Sequence, residues 1–346
     1  MRTQFWFFSL HLHANCIVNE PKLIILELAL SIDIGGTNTK IALVNREGKI
    51  IKLNRMSTTG TKGVNAYFEK LFVAINALLE SANVEFQLIG IGIGAPGSNG
   101  PRGTIEYAAN LPFTGKVEIC KTLESKYSVP AFLIKDANAA ALGEKWWGGG
   151  QGMRSLIVLT LGTGLGCGII LNNQVISGTE GLAGEMGHIQ VVKNGRYCNC
   201  GKRGCLETYA SATGIKRTVL HLLAKHTEGS ILAQYRGNQL DAKIIYEAAK
   251  SGDRLARKAF EYTGEILGSK MADLATVLCP EALFLSGGLI AAEDFILEPT
   301  IRHFNANLLP VMRGKIKVLL SSLGADNAAL LGAASLVWEK AKIVQI

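Results

Sequence analysis

The sequence predicts an α/β protein made of two related halves, and three observations carry that prediction. The run LALSIDIGGTNTKIALVN, beginning at Leu28, returns 127 residues later as SLIVLTLGTGLGCGIILN, so that Ile32, Asp33, Ile34 and Gly35 align with Leu159, Thr160, Leu161 and Gly162. Each copy reads as strand, glycine turn, strand, and the apolar runs LIGIGIGAPG and ALFLSGGL also stop at glycines. A chain of 346 residues, 48% of them hydrophobic, has material for about two domains. Two such units at one offset imply two halves, each presenting a loop of phosphate-binding size.

The first 28 residues stand apart. Their aromatic run from Phe5 to Leu10 is broken up by two histidines that follow, and no small-residue cleavage site comes after it. That is a poor secretion signal and too short to span a bilayer. The segment is expected to be an appended extension outside the fold, from a start codon placed too far upstream. The first repeat unit then opens the folded chain. Glycines at 35 and 36 can take positive φ and let backbone N–H groups approach an anion. Asp33 could hold a hydrated Mg²⁺ beside that anion, with Thr37 and Lys40 adding polar contacts. Alone, this stretch reads equally well as an ordinary hairpin. In the second unit GTGLG leads into another apolar strand instead of a helix, which excludes a dinucleotide fingerprint.

Between the units, Val64–Ala82 is an amphipathic helix with Val64, Phe68, Leu71, Phe72, Ile75, Leu78 and Leu79 on one face. A loop carrying Asn99, Arg102 and Asn110 follows the strand LIGIGIGAPG. In VPAFLIKDANAAALGEKWWGGG a strand stops at Asp136 and an Ala-rich helix begins, so Asp136 takes the N-cap position. It is either a plain cap or a working carboxylate, and its place at a strand's carboxyl end favours the second.

The densest chemistry lies in GLAGEMGHIQVVKNGRYCNCGKRGCLE, residues 181 to 207. His188, Cys198, Cys200 and Cys205 form a Cys₃His inventory for a tetrahedral structural zinc, with no position left for a catalytic water. One residue separates Cys198 from Cys200 and four separate Cys200 from Cys205, which is not nucleic-acid finger spacing. The product of the clamp is the placement of Glu185 and Glu207. The remaining cysteines, at 16, 120, 167 and 279, are expected as buried free thiols in a reducing compartment. Helices are expected over 240–250 and 252–278, and NAALLGAASLVWEKA is a closing helix with small residues for close packing. The net charge of +8 is scattered, so neither nucleic acid nor a membrane is an expected partner.

Together the motifs D-x-G-G-T-x-x-K, K-D-A-N-A-A, L-G-T-G-x-G-x-G, G-E-x-G-H and C-x-C-G-x-x-G-C-x-E resemble the ROK family of bacterial sugar kinases, open reading frames and repressors, its glucokinases most of all. The resemblance covers residue 29 to about 340. It implies the duplicated actin-like ATPase (ribonuclease H-like) fold, with two domains around a cleft. These would be a smaller one over 29–142, rejoined by the C-terminal helix 325–346, and a larger one over 143–324. It further implies an ATP-dependent, Mg²⁺-assisted hexose kinase acting on the 6-hydroxyl of glucose, in the cytoplasm, as a homodimer or higher homo-oligomer. Asp136 would be the base, with Asn110, Glu185, His188 and Glu207 on the other hydroxyls. Gly35, Gly36, Thr37, Thr163 and Gly164 would cradle phosphates, beside Asp33 and Lys40, with Gly287 and Gly288 near the nucleoside. His188, Cys198, Cys200 and Cys205 would hold the structural Zn²⁺. Alternatives are fructose, mannose, N-acetylglucosamine or N-acetylmannosamine as substrate. A sugar-responsive repressor ranks lower, because no helix pair for DNA fits the first 28 residues. One position departs from the family. Lys135 stands where it usually has Asn, and the cost of a buried ammonium favours a side chain turned out of the pocket.

Overall fold

The structure is a computed structural model and describes residues 25–60, 63–106, 108, 111–225, 229–324 and 327–344. The glycine turn at 35–36 closes the expected hairpin of β1 (Leu26–Ile34) and β2 (Asn38–Val44), and β3 (Ile50–Ser57) joins its outer side. The helix α1 (Val64–Glu80) leads to β4 (Phe86–Ala95), parallel to β1. A small antiparallel sheet of β5 (Ser98–Asn99), β6 (Thr104–Glu106) and β7 (Lys116–Val117) follows, then α2 (Ile119–Tyr127). Next, β8 (Ala131–Lys135) pairs parallel to β4 and runs into α3 (Asp136–Trp147).

The second half repeats the plan. Its strands are β9 (Leu156–Leu161), β10 (Leu165–Leu171), β11 (Gln174–Val175), β12 (Ala282–Ser286) and β13 (Lys317–Leu320). The sheet orders are β3-β2-β1-β4-β8 and β11-β10-β9-β12-β13, the same topology twice. Shifted by the repeat offset, β2 falls on β10 residue for residue. This is the duplicated, actin-like architecture that the repeat and the resemblance led us to expect. Between β11 and β12 the second half holds α4 (Ala212–Lys225), α5 (Ala242–Lys250) and α6 (Arg254–Leu278), and α7 (Asp294–Asn307) lies between β12 and β13. The chain closes with α8 (Ala328–Val344).

Apolar residues run almost unbroken along the hairpin because both faces are covered, as in any sheet sandwiched by helices. Leu28, Leu30, Ile32 and Ile34 pack in one core with Tyr67, Leu71 and Ile75 of α1. Ala29, Ala42 and Val44 face Leu330, Ala334 and Trp338 of α8. Small residues are demanded where α8 crosses α3 and β4. A Cβ on Gly332 would lie 1.5 Å from the Ala139 carbonyl oxygen, one on Gly143 2.2 Å from that of Ala328, and one on Gly92 1.8 Å from that of Ala333.

Several expectations shift. The boundary at residue 28 moves back, since Leu26 already pairs with Phe86 and Leu28 is fully buried. The expected domain boundary between 142 and 143 falls inside α3, which continues unbroken to Trp147 because nothing in its Ala-rich run stops a helix. On α1 the buried face is Tyr67, Leu71, Ile75 and Leu78, with Phe68 and Phe72 only partly covered. Gly35 needs no positive φ; its Cβ would instead crowd the Asn38 carbonyl at 3.0 Å. Cys120 and Cys167 are buried as expected, and burial pushes each thiol up to about 12. Cys279 is exposed, as the left-handed cap of α6, and Cys16 lies outside the described residues. No helix among the described residues is long and apolar enough to cross a membrane.

Candidate active site

Parallel pairing brings the carboxyl ends of β1, β4 and β8 side by side. Asp33 pairs with Gly94, and Ala95 with Lys135, one residue before Asp136. Ligand sites of open α/β sheets lie at such ends. Asp136 is the first residue of α3, and the cap position expected for it belongs to Lys135, whose backbone is extended. The reason is local: the Asp136 carboxylate accepts from the Ala137 amide at 2.7 Å, so it bonds within the first turn and closes no cap ring. Burial pushes the Asp136 carboxyl above the usual carboxylate range, opposed by the Ala137 amide and the Lys135 charge.

Lys135 does not turn away, contrary to expectation. Its Nζ donates to Glu185 Oε1 at 2.5 Å and to the Ala183 carbonyl at 3.3 Å, and its side chain is only 12% exposed. The ion pair removes the cost on which the outward orientation rested. Glu185 Oε2 lies 3.8 Å from His188 Nε2. The other ring nitrogen of His188, Nδ1, is 3.7 Å from Cys198 Sγ. A cavity of about 600 Å³ lies beside this group, with Lys135, Asn138, Arg102 and Gly181 among its walls but neither Asp136 nor Glu185.

The four predicted metal ligands converge. One donor atom each from His188, Cys198, Cys200 and Cys205 lies within 4.8 Å of all the others, and Cys200 Sγ is 3.7 Å from Cys205 Sγ. A tetrahedron with bonds of roughly 2.3 Å has edges of roughly 3.8 Å, so the donor set fits zinc in size as well as in chemistry. Gly201 at φ 89° and Gly204 at φ 76° make the turns, and a side chain on Gly204 would strike the Val192 carbonyl. Sequence reasoning missed the staple behind this loop. Arg196 donates to the carbonyls of Thr208 and Gly214 and to Thr218 Oγ, with its guanidinium 4.3 Å from the Tyr209 ring centre. Nothing in the sequence separates Arg196 from the neighbouring Arg203.

Glu207 reaches the second glycine turn, where its Oε2 accepts from the Leu165 amide at 3.0 Å beside Gly164. That same turn is held from α4 by Ala212, which donates to Gly162, and by Thr213, which donates to Thr163. Ser286 pairs with Thr160, and Gly287, at φ 94°, packs on the Leu161 backbone, so Gly287 and Gly288 adjoin the 162–164 turn. In the first half, Lys40 faces Asp33 across the hairpin, and Gly36 and Thr37 form its turn. The Asn110 candidate lies outside the described residues.

A protein-family model described as "ROK family" matches residues 29–340. The chain belongs to the ROK family. Its ROK relatives include the glucokinase of Halalkalibacterium halodurans, 36% identical over 315 residues, covering 90% of this chain and 95% of that protein. The xylose repressor of Caldicellulosiruptor bescii is 29% identical over 89% of this chain and 77% of its own. Among solved structures, a ROK family glucokinase from Streptomyces griseus in complex with glucose and AMPPNP superposes with a TM-score of 0.78 at 32% identity, over 90% of this chain and 99% of that one.

Proposed function

We propose that this ROK protein is an ATP-dependent hexose kinase that phosphorylates the 6-hydroxyl of glucose. The observation that carries the reading is Asp136, a half-buried carboxylate at the joined carboxyl ends of the first sheet, with the Lys135–Glu185–His188 group beside it. The glucokinase relatives and the glucose- and AMPPNP-bound neighbour support the same substrates. Asp136 takes the proton of the attacking hydroxyl, while Asn110, Glu185, His188 and Glu207 orient the ring through its other hydroxyls. Amides of the turns at 35–37 and 162–164 hold phosphate oxygens, with Lys40 beside the first turn and Gly287 and Gly288 leaving room for the nucleoside. Mg²⁺ beside Asp33 would neutralise charge on the transferring phosphoryl group. Transfer of this kind asks mainly for positioning and charge stabilisation, so one carboxylate suffices as base.

Rejecting a wrong epimer depends on leaving a fixed polar group unpaired. Glucose is therefore expected to exceed mannose, fructose and N-acetylglucosamine by at least ~10-fold in kcat/KM, measured by coupled ADP release. If any of the three outruns glucose, the glucokinase reading fails and a kinase for that hexose replaces it. Hexose binding without turnover would favour the repressor-like relatives instead.

We further propose one structural zinc per chain at His188, Cys198, Cys200 and Cys205, in a two-domain molecule whose terminal helix α8 rejoins the first sheet. Elemental analysis of protein purified without added metal should give about one zinc per chain. Cys200→Ser should raise the sugar KM several-fold more than the ATP KM, because Glu185 and Glu207 flank the ligands. Full activity at a stoichiometry near zero would exclude the clamp.

A further inference from the structure

Lys135 sits at the end of β8 in the first sheet, yet both of its acceptors belong to the other half. Ala183 and Glu185 lie on the loop after β11. That loop is pressed onto β10, where a Cβ on Gly184 would meet the Cys167 carbonyl at 2.5 Å and one on Gly187 that of Leu165 at 2.5 Å. The ion pair therefore joins the two halves next to Asp136. The Glu185 side chain is 47% exposed, and among the described residues no hydrogen bond from its own half fixes Oε1. Its orientation depends on the lysine. An ammonium carries three N–H donors. Two are spent on Glu185 and Ala183, and the third meets no acceptor among the described residues.

We propose that Lys135 is a positioning and specificity-determining residue for the sugar. It holds Glu185 in place as a hydroxyl acceptor and offers its remaining N–H to a sugar oxygen. The site at this point then selects a hydroxyl that donates to Glu185 and accepts from Lys135 at once. A sugar with that hydroxyl absent or inverted leaves the ammonium's third N–H or the carboxylate's bond to the sugar unmet, and that loss is what produces discrimination. The inference rests on the sugar-site reading of Glu185. It adds a residue that ties the two halves of the pocket directly to each other.

The test is Lys135→Met, similar in length and without charge, beside Lys135→Arg and Glu185→Gln. Sugar affinity is measured by calorimetry without nucleotide, and KM for each substrate from ADP release. Lys135→Met should weaken glucose about 10-fold or more in both Kd and KM, leave the ATP KM within about 2-fold, and narrow the preference for glucose over mannose. Lys135→Arg should recover part of the affinity. The Met/Gln double variant should lose little more than either single one, since both remove the same pair. Unchanged glucose affinity in a folded Lys135→Met protein overturns the inference, as does a parallel rise in both KM values or additive losses in the double variant. Wild-type protein that binds hexose without turnover removes the kinase reading and leaves this one standing. Wild-type protein that binds no hexose removes both.

Discussion

Asp136→Asn is expected to lower kcat by at least ~10²-fold while leaving glucose affinity within a few-fold, because an amide keeps the shape and loses the base. Activity read as glucose-dependent ADP release is one arm of the experiment, and thermal stability is the other. Burial raises the folded-state pKa of this carboxyl, so its ionised form costs the fold stability at neutral pH. That cost is absent below the unfolded value near 3.9 and complete once pH has risen past the folded value. The Asn variant should therefore melt no lower than wild type at pH 7. A base must also be deprotonated to work. The acid limb of wild-type kcat/KM should lie above the ordinary carboxylate range, falling as pH drops through the raised pKa. A folded variant with near-normal turnover would take Asp136 out of the chemistry.

Gly332→Leu is expected to destabilise the protein by more than ~4 kcal/mol, the class of effect reserved for core overpacking. The new Cβ alone would lie 1.5 Å from the Ala139 carbonyl oxygen and 2.8 Å from the Gly143 nitrogen, contacts that no choice of rotamer relieves. A drop in the thermal midpoint of about 10 °C, or loss of soluble protein, is the expected readout. Gly237→Ala is the control, since its Cβ would make ordinary contact with Leu220 at 3.7 Å. A Gly332→Leu protein that melts with wild type would show that α3 and α8 do not cross as described.

What was legible in the sequence was whatever repeats or clusters over short distances. The hairpins around Gly35 and Gly162 announce themselves by their offset, and the metal ligands lie within eighteen residues of one another. Gly332 sits in a run whose small residues were read correctly as close packing, but its partner Ala139 is far away in the chain. Lys135 failed for the same reason. Its orientation is decided by Glu185, fifty residues on, and desolvation alone argued the other way. The helices α4 and α7 carried no strong signal; α7 holds Pro299 within its length, which reads as a break. Arg196 was hidden because its role lies in carbonyls and a ring that the fold, not the sequence spacing, brings to it.

The crossing of α3 and α8 is a contact of main chain on main chain, through Ala139, Gly143, Ala328 and Gly332. Side chains at an interface normally act as a cushion, changing rotamer to absorb small displacements. Leu142 and Trp146 of α3 do so beside Leu336 of α8, but at the crossing itself there are only two methyl groups. At that crossing α8 and α3 are held backbone to backbone, and α3 begins at Asp136. The seat of the proposed base and the attitude of the terminal helix thus share one hinge-pin, four residues whose side chains amount to two methyl groups.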